Sequence, residues 1–174
     1  YFVVAHFHLI MGVAAIFGMF AATYFWFPKM FGRMMNETLG KIHFLITFVG
    51  VYAIFMPMHF LGMEGNPRRY PELTGFDFLE PLIPLHQFIS LAAFITIAAQ
   101  LLFLVNLFWS LFRGPKAEMN PWNCTTLEWT IPSPPPHDNF AGKEPVVYRG
   151  AYEYSVPGSP QDFTMQTAPE KAKS

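Results

Sequence analysis

His6 and His8 interrupt a run, YFVVAHFHLIMG, in which every other side chain is apolar or aromatic. Imidazoles at membrane depth are costly, face protein rather than lipid, and point to function by default. The plainer alternative is a hydrogen bond from each ring to a neighbouring helix, and two histidines within three residues weigh against it. Their spacing limits the chemistry. On an α-helix, residues two apart project ~200° from each other, so the pair cannot chelate one ion as histidines at i and i+4 do. A strand would bring both to one face, but an isolated strand cannot cross a bilayer. Two separate metal centres, one on either side of a single helix, satisfy the spacing. Imidazole serves iron, copper and zinc alike, so the metal stays open. Gly12, Ala14, Ala15, Gly18, Ala21 and Ala22, with the aromatic side chains among them, leave room for a large flat macrocycle on each side.

Pro67-Arg68-Arg69-Tyr70 is the second candidate. Arginines near a membrane surface commonly snorkel to the interface. A guanidinium pair can equally grip carboxylates or phosphates through rigid two-pronged contacts. Glu64, Glu72 and Asp77 are local partners that compete with any such ligand. His43, His59, His86 and His137 have no metal-binding partner at suitable spacing and read as structural, as the methionines read as membrane packing. Gln100 and Asn106, polar groups in an apolar stretch, are expected to face another helix.

The scaffold for these side chains is written in the charges. Residues 1–28, 42–63 and 81–112 contain no Asp, Glu, Lys or Arg. Each window exceeds the ~20 residues that cross ~30 Å of hydrocarbon as a helix. Charged residues make up 13% of the 174, against about 25% in soluble domains. This composition excludes a soluble globular domain, a disordered chain and a secreted disulfide scaffold. The net charge of −1 offers nucleic acid no basic field. A single Cys124 excludes an internal disulfide and leaves the redox compartment open. With no charged segment ahead of it, the first apolar run does not read as a signal peptide; the chain is expected to be a piece of a larger polytopic protein.

The fold expected is an all-α integral membrane protein with three transmembrane helices in residues 1–112. Span one is expected over 1–27, ending at Pro28, whose missing N–H and ring clash break a helix. Lys29, Arg33, Glu37 and Lys41 then form a loop. Span two follows over 42–62, with a kink ahead of Pro57, and span three over 82–112. The first loop carries three Lys/Arg and one acid, the second two Lys/Arg and four acids, and Arg113 and Lys116 follow span three. This bias assigns the first loop and the tail to the cytoplasm and the PRRY loop to the outside, at the face where span one starts. From Arg113 the last 62 residues hold 10 of the 16 prolines, which dilutes the apolar spans to a mean hydropathy of +0.27. Residues 113–148 read as an extended Pro-rich cytoplasmic strap and 149–174 as a flexible tail.

YFVVAHFHLIMG resembles subunit I of cytochrome c oxidase, in the heme–copper oxidase superfamily. The resemblance continues through GKIHFLITFVGVYAIFMPMHFLGMEGNPRRYPE and NPWNCTTLEWTIPSPPPHDNF, and covers residues 1–140. HFH, HFLG…PRRY and LEW…SPPP in that order are more specific than any one piece. The resemblance implies that the spans are the last three of a twelve-helix bundle. By residue match it implies His6 as the proximal ligand of a high-spin heme iron at the catalytic centre and His8 as an axial ligand of a low-spin heme iron. Phe7 would lie between the two cofactors on an electron path, and Arg68 and Arg69 would clamp heme propionates. Two hemes, of the a type, are implied, with a copper whose ligands fall outside this chain and a magnesium ligated just upstream.

The implied activity is reduction of oxygen to water with electrons from cytochrome c, coupled to proton translocation. The implied partners are the remainder of subunit I, subunits II and III and the lipid bilayer, and the implied location is a bacterial inner membrane rather than a mitochondrial one. A quinol oxidase or nitric oxide reductase of the same superfamily, and a non-catalytic three-span membrane subunit, are the alternatives.

Overall fold

The computed structural model describes residues 1–70, 72, 75–160 and 162–169. Among them the regular structure is helical, apart from one antiparallel bridge between Arg33 and Lys116. A short helix α1 (Phe2–Phe7) runs into a π-helical segment (His8–Gly12) and then α2 (Val13–Phe31). Helix α3 spans Glu37–Met63; a 3₁₀ turn (Asp77–Leu82) leads into α4 (Ile83–Arg113), and a second 3₁₀ turn covers Leu127–Thr130. Three stretches, Phe2–Phe31, Glu37–Met63 and Asp77–Arg113, are long and apolar enough to cross a membrane.

The ends of the helices differ from the expected ones, for local reasons. Pro28 does not stop the first span: α2 continues to Phe31, and Lys29 lies in the helix rather than in a loop. Proline lacks only its own N–H, and its carbonyl still accepts from Gly32 N–H at 2.8 Å. The stop comes at Gly32, whose φ of 65° suits the left-handed residue that closes a helix. Helix α3 begins a turn and a half earlier than the uncharged window, because Asn36 caps it: the Asn36 side chain accepts from Leu39 N–H at 2.9 Å. Glu37 and Lys41 then fall on its first turns and pair at 3.2 Å on the exposed face. The helix is unbroken at Pro57.

The chain divides into two compact units. The first comprises residues 1–23 and 36–109. Its apolar core gathers Ala5, Met58, Leu61 and Ile89, with Val4, Ile54 and Phe55 packed against them. Glycine makes the close approaches possible. A Cβ on Gly62 would strike the backbone of Phe2, and one on Gly50 would strike the Thr96 side chain. Gln100 and Asn106 do face another helix, as expected. Gln100 bonds to His43 at 3.0 Å and donates to Thr47 Oγ1 at 3.1 Å. The Asn106 side chain accepts from Asn36 N–H at 3.0 Å and donates to Asn36 O at 2.9 Å.

The second unit comprises residues 24–35 and the described residues from 110 onward. Lys29 is its anchor. Its ammonium donates to Ile131 O at 2.7 Å and Met119 O at 3.1 Å and lies 4.9 Å from the centre of the Trp129 ring. A buried cation needs such a set of partners to offset its lost hydration. Trp122 Nε1–H donates to Phe25 O at 2.9 Å, and Arg33 donates to Gly114 O at 2.6 Å. Burial, and then the nearby Glu128 carboxylate, push the Cys124 thiol above its ordinary range. Within 149–169, Arg149 donates to Met165 O and Ala168 O, each at 2.9 Å, and Gln166 N–H donates to Thr125 O at 3.1 Å. The last residues of the expected flexible tail, 170–174, lie outside the described residues.

Candidate functional site

Ala5, fully buried against Met58 and Leu61, marks the line along which α1 meets α3. With 100° per residue, His6 falls to one side of that line and His8 to the other. Both sides are populated. The His8 ring stacks on Phe55 of α3, with centroids 5.3 Å apart and planes 12° apart, and lies 4.3 Å from Phe7. The His6 ring stacks on Phe2, one turn back, at 6.5 Å and meets His59 of α3 edge-on at 6.2 Å. Phe55 and His59 are themselves one turn apart, so a single stripe of α3 receives both imidazoles.

The protonation of His8 follows from its one hydrogen bond. Nδ1 lies 2.8 Å from Val4 O. A carbonyl only accepts, so Nδ1 carries the proton and Nε2 keeps its lone pair. An imidazole with one nitrogen tied to a backbone carbonyl and the other free is the form that binds a metal. His6 makes no hydrogen bond to the described residues and is exposed, so its ring also retains an open nitrogen. The described residues contain no group of three or more His, Cys, Asp or Glu able to hold a bare ion. Phe7 is exposed and packs on His8, with no ring contact to His6.

The PRRY loop lies at the same end of this unit. Asn66 O accepts from the Tyr1 backbone nitrogen at 3.0 Å, and the Tyr70 ring meets Tyr1 at 5.9 Å and His86 at 6.0 Å. Gly65 and Arg69, with φ of 88° and 58°, turn the chain there. Arg68 and Arg69 are exposed and make no ion pair with Glu64, Glu72 or Asp77.

Two features escaped the sequence reading. The π-helical segment begins at His8 itself, and such segments recur at functional sites; the apolar run that forms it carries no distinguishing signal. His59, read as structural, has the arrangement of His8: its Nδ1 lies 2.7 Å from Phe55 O, four residues back. An eye for HxxG spacing in His59-Phe60-Leu61-Gly62, where the glycine lets Phe2 approach, could have found it. His43 and His86 are buried away from both imidazoles, and His137 is exposed in the tail.

Residues 1–95 match the family model for cytochrome c and quinol oxidase polypeptide I. The chain is 53% identical over 170 residues to the alternative cytochrome c oxidase subunit 1 of Bradyrhizobium diazoefficiens, covering 97% of this chain and 29% of that protein. It is 45% identical over 156 residues to cytochrome c oxidase subunit 1 of Synechocystis, covering 90% of this chain and 27% of that protein. The corresponding subunit of Cereibacter sphaeroides is 46% identical over 143 residues, with 80% and 24% covered. The chain thus spans less than a third of the length of these relatives.

Proposed function

Because the chain belongs to the cytochrome c and quinol oxidase polypeptide I family, we propose that it is part of the catalytic subunit of a proton-pumping terminal oxidase reducing oxygen to water with electrons from cytochrome c. The observation that carries this reading is the His8 imidazole, held by Val4 O at Nδ1 and stacked on Phe55, with Nε2 open. His8 would hold a low-spin heme iron, and His6, on the other side of the Ala5 line, would hold a high-spin heme iron. Such hemes, with a copper held by residues outside this chain, supply the redox chemistry when bound.

The chain's own residues do the rest. The Val4 carbonyl fixes the His8 tautomer and raises the basicity of Nε2. Phe55 and Phe7 keep water from the His8 ring. The exposed pair Arg68 and Arg69 grips propionate carboxylates, where a fixed positive charge favours the ionised acid. Phe7 lies on the electron path beside His8. The names of the relatives support cytochrome c as donor, and their bacterial sources support an inner-membrane location. The tail from Arg113 faces the cytoplasm, against the remainder of subunit I and beside subunits II and III.

Reduced-minus-oxidised spectra of the parent complex test the ligand assignment. His8→Ala removes the low-spin heme signal and leaves the high-spin heme, whereas His6→Ala removes the high-spin heme and turnover. Unchanged spectra in both variants overturn it.

A further inference from the structure

The ring of His59 is an imidazole beside the candidate site that the proposed function leaves unused. It is half-buried on α3, one turn beyond Phe55 and three residues before Gly62. Its Nδ1–H donates to Phe55 O at 2.7 Å, which fixes the ring in plane and direction. Two aromatic neighbours then meet it almost at right angles: Phe2 at 4.9 Å and 90°, and His6 at 6.2 Å and 88°. Phe2 and His6 are in turn stacked on each other, with planes 14° apart. The three rings form a corner, two parallel rings from α1 standing on one ring from α3. Gly62 makes the corner possible, because any side chain there would collide with the backbone of Phe2 and push α1 away.

The consequence for His6 follows from what it lacks. His8 is fixed by its own hydrogen bond to Val4 O, whereas His6 has no hydrogen bond within the described residues. Among the described residues, its ring meets Phe2 and His59. Edge-to-face pairs prefer a defined mutual geometry, which biases the plane of a ring otherwise free to turn. We propose that His59, with Phe2, is a positioning residue for His6, setting the plane in which its imidazole approaches an axial metal. This rests on the reading of His6 as the proximal ligand of the high-spin heme. His59 itself does not bind the metal; it holds the ring of the residue that does.

The test uses the assembled oxidase carrying the full-length subunit and reads the iron–histidine stretching band of the reduced high-spin heme by resonance Raman. His59→Ala shifts and broadens the band, with the low-spin heme spectrum unaltered and turnover lowered about tenfold, as when partners of a metal-bound histidine are removed. His59→Phe, which restores a ring without the imidazole nitrogens, returns the band toward its original position. Phe2→Leu, at an exposed site, moves the band in the same direction as His59→Ala and serves if the latter does not assemble. A band unmoved in His59→Ala, or in Phe2→Leu where His59→Ala gives no complex, overturns the positioning role while leaving the ligand assignment intact. Retention of the high-spin heme in His6→Ala overturns the ligand assignment itself, and the positioning role with it.

Discussion

Histidines at two levels of the same unit are treated in opposite ways. His43 is only 2% exposed, boxed by Phe20 at 4.7 Å and Phe103 at 5.5 Å, with Nε2 bonded to Gln100 at 3.0 Å. His8 spends its one hydrogen bond on its own helix and keeps Nε2 open, and His6 makes none with the described residues. The closed histidine belongs to a polar seam that knits α3 to α4; the open ones face outward from the line joining α1 to α3. His43 has its nitrogen matched inside the chain. His6 and His8 each keep an open nitrogen among the described residues.

The contrast can be broken most sharply at the hemes. His8→Ala is expected to abolish the low-spin heme signal, whereas His43→Phe retains both heme signals and lowers only the yield of assembled complex. Loss of a heme in His43→Phe would erase the distinction. Next comes the seam itself. Gln100→Leu strands Thr47 and His43 and is expected to cost about 1 kcal/mol, read as a lower Tm of the purified complex. Adding Thr47→Val and His43→Phe should recover most of that loss, since removing all partners of a buried network is nearly neutral. A triple variant as unstable as the single one refutes the seam's role.

Cations repeat the pattern. Lys29, 7% exposed, is saturated by carbonyls and a tryptophan ring, while Arg68 and Arg69 are exposed and unpaired with the local acids. Alanine at either arginine should lower the heme midpoint potentials by removing a positive charge that favours the reduced form, with assembly little affected. Unaltered potentials in redox titration would return the arginines to simple snorkelling. The smallest effect is at Cys124, whose thiol pKa is raised by burial and then by the Glu128 carboxylate. Its alkylation by iodoacetamide should rise with pH later than that of the unfolded chain, and equal profiles would show the thiol to be free of its surroundings.

The spans were legible because charge is excluded from hydrocarbon, and 28, 22 and 32 uncharged residues leave no other reading. Their ends were not. Pro28 carries a strong breaker signal, yet the helix tolerates it near its last turn and yields only at Gly32, and the cap that starts α3 at Asn36 sits among polar residues that resembled a loop. That His6 and His8 diverge was legible from angular spacing, since rotation per residue is a property of the backbone. His59 was not, because its meaning depends on which residue Gly62 allows to approach from a segment some sixty positions away. Lys29 was misread for a similar reason: its three acceptors lie about a hundred residues along the chain, in a strap whose prolines announce extension but not destination.

The π-helical segment from His8 to Gly12 adds a residue to its turn, so the first membrane helix carries two angular phases joined end to end. His6 belongs to the first phase. Phe17 and Phe20, which reach Phe44 at 5.7 Å and His43 at 4.7 Å, belong to the second. The aim of the imidazoles and the seating of the helix against its neighbour are thereby set independently. Deleting one residue between Leu9 and Gly12 would barely shorten the helix, but it would merge the phases, and one of the two faces would then point the wrong way.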